Sequence, residues 1–127
     1  MSALILDARA LVAVDRDDRA MIARLRVSQQ HGLELRTNAM VVAQVWRDRH
    51  GRQANLARLL RAVDVRAISG RDGRDAGVLQ AAAGTAEAID ATVVLLAAPG
   101  DRIVTSDPGD ITVLAAAAEN RAVIVAC

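Results

Sequence analysis

The apolar positions of this chain fall into short runs of strand length that alternate with helical patterns. The first run, Ala3 to Leu6, is apolar throughout and ends directly in Asp7. An unbroken apolar run is typical of a strand buried on both faces, as in parallel sheets covered by helices. Further strands are predicted at residues 33–36, 63–68, 102–105 and 122–126.

Apolar residues at helical spacing predict the segments between these strands. Helices are expected at residues 8–14, 17–30, 39–49, 53–61, 69–84, 86–98 and 111–118. Helix starts are expected at Asp17-Asp18, at Thr37-Asn38 and at Thr85, because such side chains suit the free N–H groups and the positive end of the dipole. Met40, Val41, Val45 and Trp46 form the predicted apolar face of the third helix. The alternation predicts an α/β fold with a mainly parallel sheet of about five strands covered by helices, in one domain spanning residues 1–127.

Composition narrows the class of protein without indicating a partner. The chain has 127 residues, 53% of them hydrophobic, and a net charge of +1. All 16 basic residues are Arg, which excludes a catalytic lysine and argues against a phosphoacceptor receiver domain, a fold with an essential lysine. No run approaches the roughly 18 apolar residues of a membrane span, and the N-terminus lacks a signal-peptide pattern. Cys127 stands alone and cannot form an internal disulfide. A cytoplasmic protein is therefore expected.

Carboxylates follow two of the predicted strands. Asp7 ends the first, and Asp107 follows residues 102–105 after Ser106. In parallel sheets, ligands bind beyond the carboxyl ends of the strands. A local role accounts equally well for Asp107, which precedes Pro108 and could cap a helix with Asp110 three residues on. The neighbours of Asp7 offer no comparable local reason for a carboxylate.

Asp90 is the third candidate, toward the apolar side of its predicted helix. Glu87, one turn earlier, is explained by the helix dipole. Two carboxylates about 4 Å apart repel by roughly 4 kcal/mol at an effective dielectric of 20. Asp7, Asp90 and Asp107 would therefore have to take up protons or bind a cation if they meet. All-oxygen ligands favour Mg²⁺ or Mn²⁺, and such sites hydrolyse phosphodiesters.

Four stretches, in this order, resemble the PIN-domain nucleases and, within them, the VapC-type toxins of bacterial toxin–antitoxin pairs. They are ILDARALVA at 5–13, VAQVWR at 42–47, IDA at 89–91 and VTSD at 104–107. The resemblance implies a PIN-like three-layer fold, a metal-dependent endoribonuclease acting on RNA, a homodimer and a cognate antitoxin that covers the groove. It places an acidic quartet at Asp7, Gln44, Asp90 and Asp107, with Asp110 as an auxiliary carboxylate and Thr105 as a hydroxyl that orients the site.

Two positions depart from the family pattern. Gln44 stands where the family usually has Glu, and Arg9 where it has a small residue. An amide oxygen can ligate a metal but brings no charge, so weaker cation affinity is expected, which Asp48 could partly offset. Arg9 could contact phosphate, or could neutralise Asp7 and take the place of the metal. The alternative function is thus an inactive PIN-fold module that binds RNA or an antitoxin without hydrolysis.

Arginines are concentrated in one short span. The segment from residue 47 to residue 61 contains five arginines and only one carboxylate, Asp48, so its local charge is +4. The arginines are Arg47, Arg49, Arg52, Arg58 and Arg61. This run is either a phosphate-binding rim, together with Arg9, or a solvated helix face. Trp46 is the only aromatic residue, so stacking on bases is nearly unavailable, and a core or dimer contact suits it better. His50 is expected to end a helix.

Overall fold

The five strands form one parallel sheet. A computed structural model of the chain describes residues 2–47, 51–120 and 122–126. The strand order is β3-β2-β1-β4-β5, and every neighbouring pair is parallel. The strands are β1 (Ala3–Leu6), β2 (Glu34–Asn38), β3 (Asp64–Arg66), β4 (Arg102–Thr105) and β5 (Val123–Ala126). The predicted α/β class with a parallel sheet of about five strands is confirmed.

Helices connect the strands as the apolar spacing predicted, with shifted ends. They are α1 (Ala8–Asp15), α2 (Arg19–Gln30), α3 (Ala39–Val45), α4 (Ala54–Leu60), α5 (Gly70–Ala83), α6 (Ala88–Leu96) and α7 (Pro108–Ala117). Among the described residues, no single helix is long and apolar enough to cross a membrane; α5 and α6 pass that test only together, across a bend of 108°.

The central strand is the most buried element. All four residues of β1 are at most 2% exposed, and β1 pairs with β2 on one side and β4 on the other. Strands buried on both faces have no polar positions to alternate with apolar ones, so the run of Ala3 to Leu6 agrees with this position. The carboxyl ends of β1 and β4 consequently lie side by side.

Two of the predicted caps are present, together with one that was not predicted. The Asp18 carboxylate accepts a hydrogen bond from Met21 N at the start of α2, and the Asn38 amide oxygen accepts from the first N–H groups of α3. Ser69 and Asp72 form a reciprocal capping box on α5. Each cap satisfies N–H groups that have no partner within their helix.

The predicted extent of α3 to residue 49 is wrong, because the helix ends at Val45. Trp46 is already extended, with ψ 126°. The Gln53 side chain explains the stop: its amide oxygen accepts from Arg47 N at 2.6 Å, and its nitrogen donates to Val45 O at 3.0 Å. The helix end is thus satisfied from a later turn of the chain. His50, the predicted end of the helix, lies outside the described residues.

Four other boundaries also differ. Strand β2 extends to residue 38 instead of 36, and β3 is only three residues long. Helix α6 begins at Ala88 because the Thr85 hydroxyl accepts from Glu87 N and holds a turn before the helix. Helix α7 begins at Pro108, three residues before the predicted range of 111–118 but within the helix start predicted at residues 106–110. The predicted apolar face of α3 is half wrong: Val41 and Val45 are buried, whereas Met40 and Trp46 are 43% and 37% exposed.

Asp101 is a buried carboxylate with a structural role. Its Oδ1 accepts from Ala3 N and its Oδ2 from Ala98 N, both at 2.8 Å. The first of these bonds spans 98 residues of sequence, and the side chain thereby joins the start of β1 to the turn after α6. It supports the frame of the site from the opposite end of the central strands.

Candidate functional site

Asp7 lies where β1 ends and α1 begins. Its Oδ1 accepts a hydrogen bond from Ala10 N at 2.9 Å, and the residue is only 3% exposed. The expectation that Asp7 lacks a local role is therefore wrong, because it caps α1. Burial raises the pKa of Asp7, while the Thr105 hydroxyl and the Ala10 N–H oppose that rise as hydrogen-bond partners. An N-cap alone does not require burial, so a second role remains open.

Three carboxylates meet beside Asp7. Glu87, Asp90 and Asp110 each place one carboxylate oxygen within 4.8 Å of the other two. We call them the acidic cluster. Glu87 and Asp90 lie at the start of α6, one turn apart, and Asp110 lies in the first turn of α7. Both helices pack together, so their N-terminal ends bring the three groups to one place.

The electrostatics of Asp90 link the acidic cluster to Asp7. Burial and, second, the negative charge of Asp7 raise the pKa of Asp90 to about 6, with further contributions from Glu87 and Asp110; Arg9 acts in the opposite direction. Four acidic groups thus share one field at the carboxyl end of β1. Crowded carboxylates of this kind either hold protons or take up a cation.

Asp107 is turned toward Arg9 instead. Its carboxylate Oδ2 lies 3.1 Å from the Arg9 guanidinium, and both side chains are about half exposed. Asp107 occupies the N-cap position of α7 without a side-chain capping bond, so the local explanation for this carboxylate does not apply. The Thr105 hydroxyl accepts from Asp107 N at 3.0 Å and lies 3.1 Å from Asp107 O, which fixes the turn between β4 and α7.

Gln44 is exposed near the end of α3 and lies in the same groove as Arg9. This groove has a volume of about 480 Å³, and its lining also includes Val12, Arg16 and Ser106. The structure therefore places Gln44 on the Arg9 side of the site. Asp48, the residue expected to compensate for the missing Glu, lies outside the described residues.

The structure describes four of the five arginines of the predicted rim, which stays a prediction. The Arg47 guanidinium donates to Ala43 O and Trp46 O and so closes the end of α3. Arg58 lines a separate cavity with residues of α2, and Arg52 and Arg61 are exposed. Arg49 lies outside the described residues. Arg9 of α1 is an arginine whose charge acts on Asp90 of the acidic cluster.

The donor set fits a hard divalent cation. Asp7 and the acidic cluster offer only oxygen ligands. Burial raises the pKa of Asp7, and burial together with the neighbouring carboxylates raises the pKa of Asp90. Oxygen ligands with excess negative charge are what Mg²⁺ and Mn²⁺ select. A bound cation would offset the repulsion between these carboxylates.

Glu87 is the member that sequence reasoning missed. Its spacing of three residues from Asp90 was visible, but proximity to a helix start explained it equally well. In the structure its side chain makes no capping hydrogen bond and joins the acidic cluster. The deciding neighbour, Asp110, belongs to another helix, so no local pattern contains this information.

We expect the metal-free protein to lose stability as pH rises from about 4 to about 7. The pKa of Asp90 is about 6 in the folded protein and about 3.9 in an unfolded chain. Between these values the folded state binds more protons, so its advantage is complete below the lower pKa and is lost as pH rises through the upper one. Because Asp90 is only half-buried, a loss of about 1 kcal/mol is expected after allowance for solvent screening.

Denaturant unfolding of the wild type and Asp90→Asn in a chelating buffer measures this loss. The variant is expected to gain stability relative to the wild type as pH rises from about 4 to about 7. A difference between the two proteins that stays constant over this range would contradict the shared field of the carboxylates.

A parallel sheet of order β3-β2-β1-β4-β5 with carboxylates at the ends of β1 and β4 is consistent with a PIN-like fold. A solved structure of the same fold is VapBC2 from Rickettsia felis bound to a DNA fragment from its promoter. The TM-score is 0.72 over 98% of each chain, at 12% sequence identity. The predicted resemblance to VapC-type PIN proteins is thus confirmed in the fold. No protein-family model and no curated protein sequence matches this chain.

Proposed function

We propose that this protein is a metal-dependent endoribonuclease and the toxin of a toxin–antitoxin pair. The observation that carries the proposal is the acidic cluster, whose member Asp90 also feels the charge of the buried Asp7 at the carboxyl end of β1. The fold shared with VapBC2 supports it. A cluster of this charge at this edge of a parallel sheet is suited to a cation and an anionic substrate.

The residues proposed to hold the cation are Asp7, Asp90 and Asp110, with Glu87 beside them. Asp107 and the amide oxygen of Gln44 are the further ligands that the family resemblance implies. When bound, Mg²⁺ or Mn²⁺ would activate water and neutralise charge on the phosphate. The Thr105 hydroxyl holds the backbone of Asp107 and interacts with Asp7, so it orients two of the proposed ligands.

The proposal extends to partners and location. RNA is the substrate, a cognate antitoxin protein is the regulator, and a homodimer of single-domain chains in the cytoplasm is the working form. VapBC2, whose fold this chain shares, is itself a complex crystallised with promoter DNA. For this chain, the antitoxin and the dimer are part of the proposal and can be tested by co-expression and by mass in solution.

A titration with Mg²⁺ followed by melting temperature tests the centre directly. A ligand that binds only the folded state stabilises it by about 2.7 kcal/mol at a hundred times its Kd. For a domain of this size, each kcal/mol of stabilisation raises Tm by about 4 °C. The rise is expected to disappear in Asp90→Asn. The control is Asp75→Asn on α5, an exposed carboxylate whose one ion pair among the described residues is 3.9 Å from Arg71. Equal rises in both variants would reject the centre.

One observation favours the second candidate function, an inactive module that binds RNA or an antitoxin. The Arg9–Asp107 ion pair supplies, within the protein, the positive charge that a metal would bring. If this pair replaces the metal, the wild type should show no Tm response to Mg²⁺ or Mn²⁺ at any pH. Retained binding of an antitoxin in the same protein would then support the module.

A further inference from the structure

We propose that a groove along α1 and α2 binds the phosphates of a single RNA strand through Arg16 and Arg24 and leads that strand to the acidic cluster. The inference rests on the proposed function, because it takes RNA as the ligand. It concerns a surface outside the carboxylates themselves and differs from the arginine rim that the sequence indicated.

The groove is built on one face of α1. Arg9, Val12, Ala13 and Arg16 follow one another at steps of three, one and three residues, so they lie on the same side of the helix. All four are exposed or half-buried, and all four line the cavity of about 480 Å³. At 1.5 Å of rise per residue, Arg9 and Arg16 are about 10 Å apart along the helix. The face therefore presents cations at both ends of an apolar centre.

A second cavity continues the first one. It has a volume of about 150 Å³, and Ala13, Asp18 and Ser106 line both cavities. Its far wall carries Arg24 of α2. We call the two together the α1–α2 groove. Three arginines thus follow its length, and Ser106 connects it to the turn between Thr105 and Asp107.

The charge in the groove is available for a ligand. Neither Arg16 nor Arg24 forms an ion pair with any residue in the described ranges, whereas Arg9 is paired with Asp107 and Arg19 with Asp17. The one carboxylate in the lining, Asp18, accepts from Met21 N and faces the positive end of α2. Two unpaired guanidinium groups therefore remain, and guanidinium is well matched to phosphate.

The lining indicates which part of a nucleic acid would be bound. No residue that lines either cavity is aromatic, so bases cannot stack there. Binding would depend on phosphate contacts, which are independent of sequence and sensitive to salt. The neutral polar groups in the lining, Gln44 and Ser106, are suited to ribose or base edges. The strand would enter past Arg24 and Arg16 and reach the carboxylates at Arg9.

The test measures binding of a fluorescein-labelled, unstructured single-stranded RNA in a chelating buffer, where hydrolysis is not expected, at several salt concentrations. Arg16→Ala/Arg24→Ala is expected to lower affinity at least about tenfold at low salt. It should also reduce the slope of log K against log salt by about 1.4, since each contact with single-stranded phosphate contributes about 0.7. The matched control is Arg58→Ala/Arg61→Ala, which removes the same charge outside the groove and should change the slope much less.

Equal losses in the two double variants would overturn the groove, because RNA would then respond to net charge alone. Unchanged RNA binding by the groove variant, together with loss of binding to a protein partner, would overturn it too. Cleavage with Mg²⁺ is measured in parallel and separates the two proposals. Groove-dependent binding without any cleavage by the wild type would support the groove and reject the nuclease. Cleavage with groove-independent binding would do the reverse.

Discussion

Replacing Asp7 with Asn is expected to reduce Mg²⁺-dependent RNA cleavage at least about a hundredfold without loss of the fold. Changing a residue that only orients a metal ligand typically lowers metal affinity or activity 10–100-fold. Changing a residue proposed as a ligand should lower activity more. Asn is as good a helix cap as Asp, and the hydrogen bond from Ala10 N can remain. Because burial disfavours the Asp7 carboxylate, the neutral amide should leave Tm equal or higher.

The control is Asp75→Asn. Asp75 is an exposed carboxylate on α5, outside the groove and not among the proposed ligands. Cleavage should therefore stay at the level of the wild type. The measurement is initial rates on a structured RNA with Mg²⁺ and with Mn²⁺, together with melting curves. Equal rates for wild type and Asp7→Asn would reject the nuclease proposal.

Replacing Arg9 with Ser is expected to increase Mg²⁺ affinity about tenfold. The change frees Asp107, which is 3.1 Å from the guanidinium, and removes a cation that acts on both Asp7 and Asp90. Two unit charges about 8 Å apart interact by roughly 2 kcal/mol at an effective dielectric of 20. The expected tenfold increase in affinity is smaller than this energy would give, because solvent partly screens the half-exposed Arg9 side chain. Calorimetric titration without RNA measures the change.

Arg19→Ser is the control for this prediction, since it removes the same charge from an exposed ion pair with Asp17. Adding Gln44→Glu to Arg9→Ser restores both positions to the family pattern and should raise affinity and cleavage further. If the double variant binds no more Mg²⁺ than the wild type, the ion pair is not what limits the centre. If it binds Mg²⁺ but cleaves no RNA, the inactive-module function is favoured.

Features carried by neighbouring residues were predictable. The unbroken apolar run before Asp7 indicated a parallel strand buried on both faces, and β1 is such a strand. Asn38 and Asp18 were expected near helix starts, and both cap helices. In these cases the physical cause lies within a few residues, because burial on both faces and unsatisfied N–H groups are properties of the local segment.

Features that depend on distant partners were missed or misplaced. Helix α3 ends at Val45 because Gln53 satisfies its last groups, a contact that apolar spacing does not contain. Glu87 was explained by its own helix until Asp110 of α7 came close to it. Asp107 was predicted as a metal ligand, with a helix cap as the local alternative; its side chain makes no capping bond and pairs with Arg9.

The order of strands and helices, and hence the edge at which Asp7 and Asp107 emerge, follows from periodicity along the chain. Which carboxylates share a field does not follow from it. The side chains at the N-terminal ends of α6 and α7 form the acidic cluster, and the charge of Asp7 acts on it. Asp107 instead forms an ion pair with Arg9. Charge interactions depend on distance in space and on burial, and packing of elements far apart in sequence sets both.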